Sequence, residues 1–284
     1  MRHPVSREVM KPTPLAATPL NIPAGTDPRE TLAEWLLTPE NPFLARAMAN
    51  RVWGQFLGRG IVHPVDDFRA TNPPVNPELL DALAADFAGH DFDLRHLMRR
   101  IMNSRLYQLS SLPNKTNVQD TSSFSRFYRR RISAENLHDI LVQMSGVESG
   151  FNNLRLDARS VELWTTRMDS ALLESFGLPN SSENCPVERD DRPSMVQALH
   201  LMNSDKLQAK LADKNGRAAK LGQEDKPSDE VVNELYLALY SRWPSDEEKR
   251  VALEAFKGGD AKRHEAVEDI IWALINTAEF VFNH

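Results

Sequence analysis

The chain has 284 residues, 41 % hydrophobic and 26 % charged, and its 34 Lys and Arg stand against 40 Asp and Glu for a net charge of −6. A chain of this size can bury a core without metal or disulfide, and its single Cys, Cys185, excludes an internal disulfide and a thiolate zinc cluster built from this chain alone. Collagen-like, coiled-coil and low-complexity classes fail on composition. The acidic balance argues against a general nucleic-acid binder, and no apolar run reaches the ~18 residues of a membrane span.

Residues 1–28 carry six of the eighteen prolines, which remove backbone donors too often for regular structure and predict an extended lead-in. Its first residues, Met1-Arg2-His3-Pro4, lack the apolar core of an export signal, so none is expected in the chain as given. From Thr31 the pattern turns helical. Asn41-Pro42 reads as a cap and a proline-tolerant first position for a helix running to Gly58, apolar around almost its whole circumference and therefore central. Asn76-Pro77 repeats the signal for a helix closed at Gly89, and Asp93 caps a third over LRHLMRRIMNSRLYQL. So short a connection predicts that these two pack as a hairpin. Pro113 to Ser125 is polar and reads as a loop, after which Ser133 caps a helix that stops at Gly146.

Val147 to Arg192 is the least periodic stretch, with a short strand expected at Ser160 to Trp164, and long irregular connections of this kind tend to be functional. Helices resume at Ser194 and over KLQAKLA, then break in the polar run Lys214 to Ser228. Ser228 is expected to cap the next helix, Ser245 and Glu248 form a capping box for another, and Glu265 to Phe282 reads as one final helix. The predicted fold is all-α or mainly α: a lead-in over 1–28, a main helical domain over 29–227 with the irregular segment 147–192, and a C-terminal helical hairpin subdomain over 228–284 packed on it.

Several groups could carry chemistry. Arg46 and Asn50 lie four apart on the central helix, and Arg51 occupies another of its sides. A buried guanidinium needs a carboxylate, and Asp66 and Asp67 are the nearest in sequence. One reading is an ion-pair network that pins the Asp-Asp-Phe-Arg loop; the other is an anion site that grips a carboxylate or sulfate with the guanidinium fork. His63 with Asp66 and Asp67 could offer one imidazole and two carboxylates to a divalent ion, but the spacing is no metal signature and loop-fixing is the better reading, so no metal is expected. Glu188 and Arg189 open an alternating-charge loop that either pairs locally or supplies an acid/base carboxylate with an arginine orienter. Trp164 falls in the irregular stretch, where an exposed indole could stack on a sugar. Ser125 to Arg131 (SRFYRRR) concentrates arginine beside two aromatics, and a salt-bridged turn is favoured over an RNA contact. His138 and His200 read as hydrogen-bonded structural residues.

Six ordered runs, HPVSREVMKPTPL, NPFLARAMANRVWGQFLGRGIVHPVDDFRATNPPVNPELLDALAADF, NSRLYQLS, YRRRISAENLHDILVQMSGV, FGLPN with CPVERDDRPSMVQALHLMN, and IIWALINTAEFVFNH, resemble a domain of unknown function of the PSD type. It is found at the C-terminus of multidomain proteins of Planctomycetes and related bacteria that often carry a cytochrome-c-like haem domain. The resemblance implies a piece of a longer, exported polypeptide in the periplasm or cell envelope, with upstream domains as partners and no activity attached. The family pattern has a second cysteine two residues after the position of Cys185, where this chain has Val187, which argues against a paired-thiol role here. No Cys-x-x-Cys-His motif occurs, so the expected cofactor is none in this chain, with any haem in an accompanying domain. The leading expectation is a structural or interaction module, holding other domains, an extracellular polymer or a small anion. Its rival is an enzyme, a hydrolase or oxidoreductase partner, acting on a polymer or small carboxylate with Asp66, Asp67, Glu188 and Arg189 as catalytic candidates and Arg46, Asn50, Arg51 and Trp164 as binding ones.

Overall fold

The computed structural model describes residues 2–15, 18–20, 22–23, 25–38, 41–151, 154–163, 170–178, 194–259 and 262–283. These residues are mainly helical, with one two-stranded antiparallel ladder, and fall into two units, Met1–Tyr128 and Arg129–His284.

In the first unit the described residues of the proline-rich start are largely exposed and mostly without regular structure, with a tight turn in which His3 N–H donates to Glu8 O. Helix α1 (Pro28–Leu36) is capped by Asp27, whose carboxylate accepts the Arg29 N–H. Helices α2 (Leu44–Leu57), α3 (Pro77–Gly89) and α4 (Leu94–Met102) build the core. Asn41 Oδ1 accepts from the N–H groups of Phe43 and Leu44, so the expected cap acts although regular helix begins only at Leu44. Gly58 ends α2 with φ 75°, a left-handed turn that a residue with a Cβ adopts only under strain. One side of α2 presents Ala49, Val52, Trp53 and Leu57 to Leu80 and Phe87 of α3 and to Leu97 and Ile101 of α4. Each large side chain buried there contributes about 1.5–3 kcal/mol. The helix does not match the expected all-round apolar surface: Arg46, at the N-terminal end of the inner stripe, and Arg51, on another side, keep 36 % and 46 % of their side-chain area exposed.

The third predicted helix is cut short. α4 stops at Met102 because Ser104 Oγ accepts the Tyr107 N–H, a local bond that turns the chain away before Leu109. In the predicted loop, Asp120 accepts from the backbone N–H groups of Ser122, Ser123 and Ser125 and from the Tyr128 hydroxyl, which organises 120–128 around one carboxylate.

The second unit opens with β1 (Arg130–Arg131) and α5 (Ala134–Ser145), followed by α6 (Ala171–Ser175), α7 (Met195–Asn203), α8 (Asp205–Leu211) and α9 (Arg217–Gln223). It continues through α10 (Ser228–Tyr240), α11 (Asp246–Glu254), α12 (Arg263–Ile275), α13 (Ala278–Val281) and β2 (Phe282–Asn283). β1 and β2 pair antiparallel, Arg130 opposite Asn283 and Arg131 opposite Phe282. One core joins Leu137 and Leu141 of α5 with Val231, Val232 and Leu235 of α10 and Val267, Ile271 and Ile275 of α12. Ser228, where the sequence reading begins a subdomain, therefore opens a helix inside a core shared with residues 134–221.

Several local expectations are corrected. The strand at Ser160 is a single 3-10 turn, Ser160–Glu162. The polar run after Lys214 holds α9, whose Ala218, Ala219 and Leu221 are buried and outweigh its charged neighbours. Pro227, not Ser228, stands at the N-cap of α10, and Ser228 Oγ instead accepts from Arg263 Nη1 at 3.1 Å. The final helix is split at Asn276-Thr277, where Thr277 Oγ1 accepts the Phe280 N–H and starts α13 afresh.

Candidate functional site

Asn50, on the inner side of α2, is fully buried. Its Nδ2 donates to Val62 O at 2.9 Å and Val65 O at 2.8 Å, and its Oδ1 accepts the Val62 N–H at 2.8 Å. Both amide protons and the carbonyl are thus spent on the loop after Gly58. The loop also needs Gly60, because a Cβ there would overlap Val62 O and meet Asn50 Nδ2 at 2.9 Å. Asn50 acts as a clamp.

The charged candidates around it close onto separate neighbours. Arg46 Nε lies 3.1 Å from an Asp81 carboxylate oxygen on α3, Arg51 Nη2 donates to Asp66 Oδ1 at 2.6 Å, and Asp67 accepts from Arg69 Nη2 at 2.6 Å. Asp66 and Asp67 therefore face different arginines, and His63 beside them is exposed. Trp164, Glu188 and Arg189, together with Cys185, lie outside the described residues. The arginine-rich run is drawn into the fold: Arg126 lies over the Tyr128 ring at 5.3 Å, Arg131 over Phe176 at 5.4 Å, and Arg130 and Arg131 form β1.

His138 sits where the sequence reading puts it, within a helix and hydrogen-bonded. Ser160 Oγ is 2.6 Å from His138 Nδ1, and the Ser160 N–H donates to Asp139 Oδ1 at 2.6 Å. Burial pushes the imidazole's pKa down, with Asp139 opposing it. A nucleophilic triad needs the carboxylate on the ring nitrogen that does not face the hydroxyl. Here Asp139 Oδ1 is 3.6 Å from the same Nδ1, and Ser160 is 1 % exposed, so the trio ties the 3-10 turn to α5.

A cluster that the sequence reading does not single out stands at the corner between α3 and α4. Asp86 lies in the last turn of α3, His90 is the residue after it, and His96 is in the first turn of α4. Asp93 accepts the N–H groups of Arg95 and His96, which sets the register of His96. The tight turn between the helices passes through Asp91 and Phe92, both left-handed with φ 52° and 56°. Phe92 packs edge-on against Phe87, ring centroids 5.4 Å apart, and its N–H donates to Phe87 O, so the turn is held from inside.

Within this corner His96 Nε2 is 2.8 Å from Asp86 Oδ2, and His90 Nδ1 is 2.7 Å from the Asp86 backbone oxygen and 3.6 Å from Oδ1. The two imidazoles stack 3.7 Å apart and 15° from parallel. The hydrogen bond from His96 holds the Asp86 carboxyl below its ordinary range, and the Arg100 guanidinium, its Nε at 3.6 Å, adds to the effect. The carboxylate is ionised at neutral pH and shared by two imidazoles. The available signal in sequence is Asp-x-x-x-His at helical spacing, followed by a His just inside the next capped helix.

No curated protein and no solved structure matches the chain. The family model PSD1, described as a protein of unknown function (DUF1553), matches residues 28–256, more than half of the chain, and the chain belongs to that family.

Proposed function

We propose that this chain is a non-catalytic interaction module of a larger, exported bacterial polypeptide, and that its partner is the remainder of that polypeptide, in the periplasm or envelope and with any haem in an accompanying domain. The observation that carries the reading is that Arg51 and Asp66 neutralise each other while Arg46 pairs with Asp81 and Asp67 with Arg69, and Asn50 spends its whole amide on one loop. Catalysis of the kind weighed from the sequence needs such groups aimed together at one reacting centre.

A second observation supports docking. Helix α7 turns Met195, Leu199 and Met202, spaced four and three apart on one face, toward solvent, with Met195 77 % and Leu199 50 % exposed. The test is gel filtration of this chain with the rest of its parent polypeptide expressed as a separate chain. The wild type should co-elute as a one-to-one complex, and Leu199→Glu with Met202→Glu should weaken it at least ten-fold without lowering the thermal midpoint. Separate elution of the wild type, or a complex indifferent to both substitutions, refutes the reading.

A further inference from the structure

We infer that Asp86, His90 and His96 form a binding site for a zinc-type divalent ion at the corner between α3 and α4. The inference stands apart from the module reading. One donor atom from each of the three residues lies within 4.8 Å of the others. Two imidazoles and one carboxylate are the nitrogen and oxygen set that borderline first-row ions take, and three protein ligands leave a fourth position for water.

The distances are close to what coordination needs. Zn–N and Zn–O bonds of about 2.0–2.1 Å in a tetrahedron put donors about 3.3 Å apart, so the cluster contracts by at most about 1.5 Å at its widest separation. Asp86 and His96 are both 25 % exposed in their side chains, whereas His90 is 51 % exposed. An ion reaches the cluster from solvent, and two of its three ligands are held against the protein. His96 is aimed by the Asp93 cap and Asp86 by its place in α3, so the residue that must adapt is the exposed one.

The adaptation is specific. An imidazole donates its lone pair in the plane of the ring, and two rings stacked 15° from parallel cannot both point at one ion. Binding therefore turns the His90 ring out of the stack and away from its 2.7 Å contact with the Asp86 backbone oxygen. Arg100 opposes the ion, since its Nε lies 3.6 Å from Asp86 Oδ2, but its side chain is 65 % exposed and swings into solvent as the ion arrives. Binding exchanges both the stack and the arginine contact for coordination.

The experiment is calorimetric titration of the untagged full chain with zinc chloride, in buffer without chelator at pH 7.5, alongside imidazole NMR. The expected result is one ion per chain, weakened at least ten-fold in His96→Gln and in His90→Gln, and unchanged in Cys185→Ser. Zinc should shift the His90 and His96 ring resonances as their stack opens and leave those of His138 and His200 in place. His90→Gln alters an exposed side chain outside the core, so a wild-type circular dichroism spectrum and melting curve are expected for it. No saturable binding, binding that survives both histidine substitutions within two-fold, or zinc-induced shifts at other histidines alone overturns the inference.

Discussion

Replacing Asn50 by Ala tests how the loop after α2 is held. The substitution removes three hydrogen bonds of 2.8–2.9 Å and leaves Val62 N–H, Val62 O and Val65 O facing an interior gap that their former partner filled. A net loss of about 1 kcal/mol per bond gives about 3 kcal/mol, and any of the three groups that finds no water adds to it. With a urea m-value of about 2 kcal/mol/M the midpoint should fall by about 1.5 M. Because the chain has two units, the unfolding of the first is best followed through amide resonances of α2 rather than a signal averaged over the molecule. Asn50→Asp keeps the shape but aims a carboxylate at two carbonyl oxygens, and it should cost at least as much as Ala. A midpoint for Asn50→Ala within about 0.3 M of wild type would refute the clamp and return Asn50 to the pool of residues available for a ligand.

Two other outcomes follow from the second unit. Arg242 donates to both carboxylate oxygens of Glu248 and of Glu279, at 2.6–2.9 Å, and lies over the rings of Tyr236 and Tyr240, so it joins α10, α11 and α13. Its side chain is 38 % exposed, which places Arg242→Met between a solvent pair and a buried one, at about 2 kcal/mol by chemical denaturation; a loss under about 0.5 kcal/mol would contradict the network. The same guanidinium holds the Glu248 carboxyl down at about 2 in the folded chain, whereas an unfolded Glu titrates near ~4.3. A depressed folded pKa means that the stabilisation is fully present above the unfolded value and is lost as pH falls from about 4 toward 2. Thermal midpoints measured across that window should drop less steeply in Glu248→Gln than in the wild type, and parallel slopes would show that the pair does not matter.

Helix starts were legible where a side chain does the capping. Asn76, Asp93, Ser133, Ser194 and the Ser245–Glu248 box all act as their positions suggest, because capping is a contact within three residues. What escaped reading depends on distant partners. Ser228 looks like a cap, but its hydroxyl is taken by Arg263, 35 residues away. The Ala-rich face of α9 reads as polar loop until a core covers it. Arg51 looks like an interior charge because hydrophobic pattern around α2 shows its mean polarity, not which side other helices leave uncovered, and Arg46 finds its carboxylate on α3, at Asp81, rather than in the nearer loop. The Asp86, His90 and His96 cluster leaves only the Asp-x-x-x-His spacing and a His inside the next cap as a signal, because its three side chains meet only when a left-handed turn folds α4 back against α3.

The central claim is that the charged candidates of the first unit serve local pairing and not a ligand or reaction. Its most direct measurement is the affinity of this chain for the remainder of the larger polypeptide proposed above, by calorimetry, in the wild type and in a variant carrying Arg46→Met, Arg51→Met, Asp66→Asn and Asp67→Asn. The account predicts equal affinities within two-fold, with only a modest fall in the urea midpoint. A variant that keeps its stability yet loses the association would contradict it.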